Sequence, residues 1–286
     1  MSAYRIVTDS GCDLPVQMIQ DLNLTVVPLT VLFRGENRPD SVEGESIREI
    51  YAGLREGENA TTSAVNPDGW ASVMEPIVQA GEDVLVLAFS SGLSTTYQSA
   101  VIAANELMEQ YPERKIFVVD SRCASLGQGL LVWYLCKKRD EGMSLEDLTQ
   151  WCAEEKFHLC HWFTVDDLMF LKRGGRISSA TALLGTMLNI KPVLHMDDEG
   201  HLINRGKVRG RKASLESLVN HYVELATGEG PIYICHADCM DDVELLKGML
   251  REKAGVEVDR VCDIGAVIGS HSGPGTIALF FLGKKR

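Results

Sequence analysis

The chain has 286 residues, 45% hydrophobic and 24% charged, with a net charge of −12. The length suits about two domains. The acidic balance opposes nucleic-acid binding, and no apolar run approaches the roughly 20 residues of a membrane helix.

The start, MSAYRIVTDSG, runs directly into a strand pattern, so a cytoplasmic protein without a signal peptide is expected. Eight cysteines (12, 123, 136, 152, 160, 235, 239 and 262) are scattered along the chain. In this context they predict reduced thiols rather than a disulfide framework. The clusters His158-Leu159-Cys160-His161 and Cys235-His236-Ala237-Asp238-Cys239 lack CxxC spacing, and no metal site is expected.

Tyr4 to Thr8 predicts a first strand, followed by Asp9-Ser10-Gly11-Cys12-Asp13-Leu14-Pro15. Asp13 or Ser10 is expected to cap a helix over Val16 to Leu22. Leu24 to Phe33 reads as one extended, β-branched run, and residues 41–54 as a loop and a helix. Thr61-Thr62-Ser63 predicts a turn or polar wall before a helix opened by Pro67-Asp68.

Val84 to Ala88 is five apolar residues in succession, the pattern of a strand buried on both faces of a parallel sheet. It runs into Phe89-Ser90-Ser91-Gly92-Leu93-Ser94-Thr95-Thr96 and a helix over Tyr97 to Gln110. A strand feeding a hydroxyl-rich loop and a helix N-terminus builds an anion site. Ser94 is the expected N-cap, and five Ser/Thr within residues 90–96 exceed what one cap needs. A further strand, Lys115 to Val119, leads through a loop over Ala124 to Gly129 into a helix over Leu130 to Lys138. Ser144 caps the next helix, Leu145 to Lys156. Repeated strand–loop–helix units imply an open α/β sheet with its ligand edge at the carboxyl ends.

The remainder reads as α+β and mostly antiparallel. A strand starts at His161 to Thr164, a helix at Val165 to Leu168, and Lys172 to Ser178 is a basic glycine turn. A helix is expected over Ser179 to Leu188, then a hairpin of Ile190 to His195 with Leu202 to Val208. Helices over Arg211 to Leu225 and Asp241 to Lys253 alternate with strands at Pro231 to His236, Val258 to Ile264 and Ile277 to Leu282. Gly265 to Thr276 is glycine-rich around His271, which lets backbone approach a neighbour or ligand closely. The domains expected are 1–160 and 161–286.

No P-loop, GxGxxG or Gly-x-Ser-x-Gly pattern occurs. A serine-dependent hydrolase or transferase acting on an acyl or small anionic substrate, through Ser94 and His271, is the alternative reading. Residues 172–212 carry nine Lys/Arg against three acids in an otherwise acidic chain, a face suited to an acidic partner or phosphate.

Several motifs occur in one order from end to end: Asp9-Ser10, Thr62-Ser63, SSGLSTTYQSA (90–100), VVDSRCASLGQGLLV (118–132), LKRGGRIS (171–178) and IGAVIGSHSGPGTI (264–277). Together they resemble the DegV family, the bacterial fatty-acid-binding subunits of fatty acid kinase. The resemblance implies a two-domain DegV-like α/β fold. An N-terminal, mostly parallel sheet domain and a C-terminal α+β domain would enclose a long-chain fatty acid. It implies carboxylate binding by Thr62 and Ser94, with His271, Ser63 and Thr95 beside them. It further implies a carrier that needs no cofactor and is not itself an enzyme. The carrier would present its ligand to a separate kinase subunit for acyl-phosphate formation, feeding phospholipid synthesis. Arg173, Arg176 and Arg205 would dock the kinase, or steer the product toward an acyl-phosphate acyltransferase or the membrane surface. This chain has Ser94-Thr95-Thr96-Tyr97 where the family often has Ser-Gly-Thr-Tyr, and Thr62-Ser63-Ala64-Val65 where it often has Thr-Ser-Gln-Pro. Neither departure removes a carboxylate donor, and both bear on pocket shape. Burial of a sixteen-carbon tail, at about 0.8 kcal/mol per methylene, would supply on the order of 10 kcal/mol before association costs.

Overall fold

A computed structural model describes residues 4–177 and 189–286; the helix expected over 179–188 lies outside them. The first half contains β1 (Tyr4–Asp9), α1 (Val16–Asp21), β2 (Thr25–Val27), β3 (Thr30–Phe33), β4 (Glu36–Pro39), α2 (Glu45–Arg55), β5 (Ala60–Ser63) and α3 (Pro67–Gln79). It continues with β6 (Asp83–Ala88), α4 (Thr96–Gln110), β7 (Ile116–Asp120), α5 (Leu126–Asp140) and α6 (Leu145–Glu155). The second comprises β8 (Leu159–Thr164), α7 (Met169–Arg173), β9 (Ile190–Met196), β10 (Leu202–Arg209), α8 (Arg211–Leu225), β11 (Tyr233–His236), α9 (Met240–Ala254), β12 (Arg260–Asp263), α10 (Ala266–Ser272) and β13 (Ile277–Leu282).

The apolar run at 84–88 lies where its composition demands. β6 is buried along its whole length, inside a parallel sheet of order β2-β1-β6-β7. A six-stranded sheet, β10-β9-β8-β13-β11-β12, is antiparallel except at its β11–β12 edge. Its inner strands are buried on both faces. On β13, Ala278 and Phe280 join the core shared with the first half, whereas Ile277, Leu279 and Phe281 pack in a second core with Leu215 and Leu246 of α8 and α9. This period of two is the pleat of the strand.

Helix α5 lies between the two large sheets, touching β1 on one side and β8, β11 and β13 on the other. It begins at Leu126, four residues earlier than expected, and takes in Gly127 and Gly129. Those glycines mark close packing rather than a loop. A Cβ on Gly129 would lie 2.6 Å from the Cys12 carbonyl oxygen, and one on Gly127 would strike His161 Nε2 and approach Phe280 Cδ1 to 2.8 Å.

Three other elements depart from expectation. The run 24–33 is two strands in different sheets: β2 extends the parallel sheet, and β3 is the centre of a small antiparallel sheet, β4-β3-β5. The break falls at Pro28, which has no N–H for either ladder. The hydroxyl cluster at 61–63 is strand β5, with Thr62 opposite Val31. Neither Asp13 nor Ser10 caps α1; Asp9 accepts from Gly11 N across a short turn, and Asp13 turns toward the second half. The glycine-rich stretch around His271 includes a short helix. Residues 266–272 form α10, and Gly269 lies against the Tyr51 ring.

The β9–β10 hairpin tip rests on the strand-end loops of the first half. Ser90 Oγ donates to Gly200 O at 2.9 Å, and Arg122 donates to Glu199 O. No helix among the described residues is long and apolar enough to cross a membrane.

Gly127→Ala tests the packing of α5. The helix itself would favour alanine by about 1 kcal/mol, whereas overpacking of such a site costs about 1–3 kcal/mol. Net destabilisation is expected in chemical denaturation; a neutral or stabilised variant would show that α5 and β8 separate easily.

Candidate functional site

Between the strand-end loops of the first half and the six-stranded sheet lies a cavity of about 510 Å³, within the roughly 300–1,000 Å³ usual for small-molecule sites. Much of its wall is apolar, including Leu29, Phe89, Phe163, Leu171, Met196 and Phe280. Thr62, Ser63, Ser94, Thr95 and His271, the five residues expected to bind a carboxylate, all line it. They converge because β5, the β6–α4 loop and α10 end at the same cavity.

The contacts among them are specific. Thr62 Oγ1 and His271 Nε2 share a hydrogen bond of 2.7 Å, joining the small sheet of the first half to a helix of the second. Ser94 is not the N-cap expected of it: Thr95 holds that position without a side-chain capping bond, while Ser94 Oγ, one residue earlier, accepts from Thr96 N at 3.2 Å, bonds Thr96 Oγ1 at 2.9 Å and lines the cavity. No hydrogen bond joins Ser94 to His271. The nucleophile–base pair of a serine hydrolase is therefore not assembled in this geometry.

Arg176 faces the cavity, not the exterior expected of a docking residue. Its Nε donates to Leu93 O at 3.1 Å and its Nη1 to Gly174 O, which ties the turn after α7 to the loop bearing Ser94. Among the described residues it has no carboxylate partner, and partial burial pushes its pKa below the usual arginine value. A guanidinium does not lose its proton in proteins, so it stays a cation. Gly174 also packs on the His271 ring: a Cβ there would strike Nδ1. Burial, and secondarily the Arg176 charge, push the His271 pKa down to about 4, leaving a neutral imidazole at pH 7.

The other two candidate docking residues are exposed. Arg173 stacks on Phe170, with its guanidinium 4.5 Å from the ring centroid, and donates to Asn59 Oδ1 at 3.2 Å. It borders a separate open cleft with Arg55, Asp166 and Asp167. Arg205 projects from the edge strand β10. All eight cysteines are free thiols, and no group of three His, Cys, Asp or Glu among the described residues could hold a metal. Sequence reasoning had missed Arg176 as a cavity residue; its signal was a lone arginine after paired glycines.

The profile of the DegV family, described as uncharacterised proteins, matches residues 3–284. The chain belongs to the DegV family. A DegV domain-containing protein of Clostridium perfringens is 44% identical over 289 residues, covering 100% of this chain and 99% of the relative. Among solved structures, a DegV protein of Thermus thermophilus described by its fatty acid binding is 37% identical with a TM-score of 0.87, covering 98% of this chain and 99% of that one. The fatty acid kinase B3 protein of Streptococcus pneumoniae, loaded with linoleic acid, shares the fold at 22% identity and a TM-score of 0.85, covering 98% and 99%. This DegV chain thus has the two-domain α/β fold of the family.

The buried histidine makes a pH prediction. Its folded pKa, about 4, lies below the unfolded value of about 6.5, so its stabilisation is complete above pH 6.5 and is lost as pH falls toward 4. Ring ¹⁵N spectra should show neutral His271 at pH 5.5, and the stability advantage over His271→Gln should shrink across that window. A ring titrating near 6.5 would contradict the geometry.

Proposed function

We propose that this DegV protein binds one long-chain fatty acid, with the acyl tail in the apolar cavity and the carboxylate at Arg176, Thr62, Ser94 and His271. Ser63 and Thr95 complete the polar end. The observation that carries this reading is the half-buried Arg176 guanidinium, without a carboxylate partner among the described residues, sharing the wall of a largely apolar cavity with the hydroxyls of Thr62, Ser63, Ser94 and Thr95. A carboxylate drawn into such a site would protonate unless charge-assisted hydrogen bonds held it. Arg176 and the hydroxyls are such donors, and a neutral His271 can donate or accept through Thr62. The fatty acid binding described for the Thermus relative supports the same ligand class.

In this reading the protein is a carrier, not an enzyme. Residues 1–160 and 161–286 act as its two domains, with the ligand between them. A separate kinase subunit phosphorylates the carboxylate, and the acyl phosphate feeds phospholipid synthesis through an acyltransferase at the membrane surface. The likeness of fold to the pneumococcal fatty acid kinase protein is consistent with this. Arg173 and Arg205, exposed on the basic segment, dock the kinase.

Mass spectrometry of organic extracts from natively purified protein is the first test. One fatty acid per chain is expected, lost in a Thr62→Ala/Ser94→Ala double variant. A protein that arrives empty and also fails to take up added fatty acid would overturn the proposal. Arg176→Gln should weaken fatty acid binding by roughly 10- to 100-fold, the worth of a hydrogen bond to a charged group. Arg173→Glu should slow phosphorylation by the kinase and leave lipid binding intact; loss of both would remove the docking role.

A further inference from the structure

Helix α10 is only seven residues long, too short to persist on its own, since a helix shorter than about 12 residues is marginal in water. Three N–H groups at its start are held by the first half of the chain. Gly265 N donates to Asp13 Oδ1 at 3.0 Å, Ala266 N to Ser41 O at 3.2 Å and Val267 N to Asp40 Oδ1 at 2.9 Å. Each carboxylate is anchored through its other oxygen: Asp40 Oδ2 accepts from Ser10 Oγ at 2.8 Å, and Asp13 Oδ2 accepts from Ser125 Oγ. Ser10 Oγ in turn accepts from Leu29 N at 3.0 Å. Tyr51 donates to Ile264 O at 2.7 Å, immediately before the helix.

Neither Asp13 nor Asp40 has a cationic partner among the described residues, and burial raises both carboxyl pKa values, that of Asp40 to about 6. A carboxylate shielded from water without a cation is expensive, and a buried Asp13 with a half-buried Asp40 at one helix end call for an explanation beyond stability. The partial positive charge of the helix start and the N–H bonds offset part of that expense. His271 follows Val267 by four residues, one turn on and on the same face, so the Asp40 anchor and the imidazole are joined by about 6 Å of rigid helix.

Accepting the fatty-acid reading above, we infer that Asp13 and Asp40 are positioning residues for carboxylate recognition: by gripping the start of α10 they set His271 against Thr62 at the head-group end of the cavity. The helix is clamped to the first half at both ends, by acids at its start and by Thr62 at its finish. Head-group recognition is thereby tied to contact between the two halves of the chain.

The test compares Asp40→Ala and Asp40→Asn with the unaltered protein, using palmitate and hexadecanol as paired ligands of equal chain length. Asp40→Ala is expected to weaken palmitate roughly tenfold, the scale of one charge-assisted hydrogen bond, with little change for the alcohol. Asp40→Asn, which keeps a carbonyl oxygen for Val267 N, should recover most of the loss. In a His271→Ala background the Asp40→Ala effect on the acid-to-alcohol ratio should vanish. Parallel weakening of both ligands, or an effect that persists without His271, would overturn the inference. Ring ¹⁵N spectra of ligand-free protein supply a readout independent of lipid binding: Asp40→Ala should shift the His271 Nε2 signal toward that of Thr62→Ala. An unchanged signal would equally refute positioning, even if the protein bound no fatty acid. Should Asp40→Ala fail to fold, Ser10→Ala, which frees Asp40 Oδ2 and Leu29 N but leaves the Asp40 bond to Val267 N, should give smaller changes of the same sign in both readouts.

Discussion

Three backbone N–H groups at the start of α10 hold the second half of the molecule onto the first. Their acceptors, Asp13, Ser41 and Asp40, all come from the first 41 residues, while the N–H groups belong to residues 265–267. The Asp13 bond to Gly265 N spans 252 positions, and the two halves also share a core that runs from β6 through α5 to β13. Helix α5 serves both sheets at once, which is why it is apolar on nearly every side and why two of its positions are glycine. A helix buried all round loses the amphipathic stripe by which surface helices are recognised.

The cavity follows from this arrangement. The strand-end loops of the first half, set against the six-stranded sheet and pinned at α10, leave a space walled by apolar side chains of both halves of the chain. Polar groups gather where strand ends and helix starts meet, as the carboxyl edge of a parallel sheet generally dictates. The second half adds the components that the hydroxyl loops lack, a cation at Arg176 and a neutral imidazole at His271. A largely apolar cavity whose wall, among the described residues, carries one guanidinium beside hydroxyl groups suits the proposed amphiphile with one negative charge, because tail and head then each meet a matching environment.

Much of this was legible in the residues. The unbroken apolar run at 84–88 read as a strand covered on both faces, as β6 is, and several of the Ser and Thr residues after it line the cavity. The 190–208 hairpin, the Ser144 cap and the helix over Arg211 to Leu225 are local features carried by nearby side chains, and each lies where the sequence places it. Less legible were features decided at a distance. The run 24–33 looks continuous until Pro28 has to leave one sheet for another. Gly127 and Gly129 look like loop residues until β8 and Cys12 approach them. Asp13 resembles a helix cap because the group it serves is 252 positions away.

Composition and periodicity by themselves determined an α/β first half, a mostly antiparallel second half and a hydroxyl-rich loop after the central strand, because alternation, apolar runs and caps act over a few residues. Only the tertiary structure decided that Arg176 faces inward, that His271 rides on a short helix bonded to Thr62, and that two aspartates without cationic partners among the described residues hold that helix in place. The physical reason is that burial, charge pairing and close backbone approach belong to pairs of segments far apart in the chain. Local sequence holds only one member of each pair.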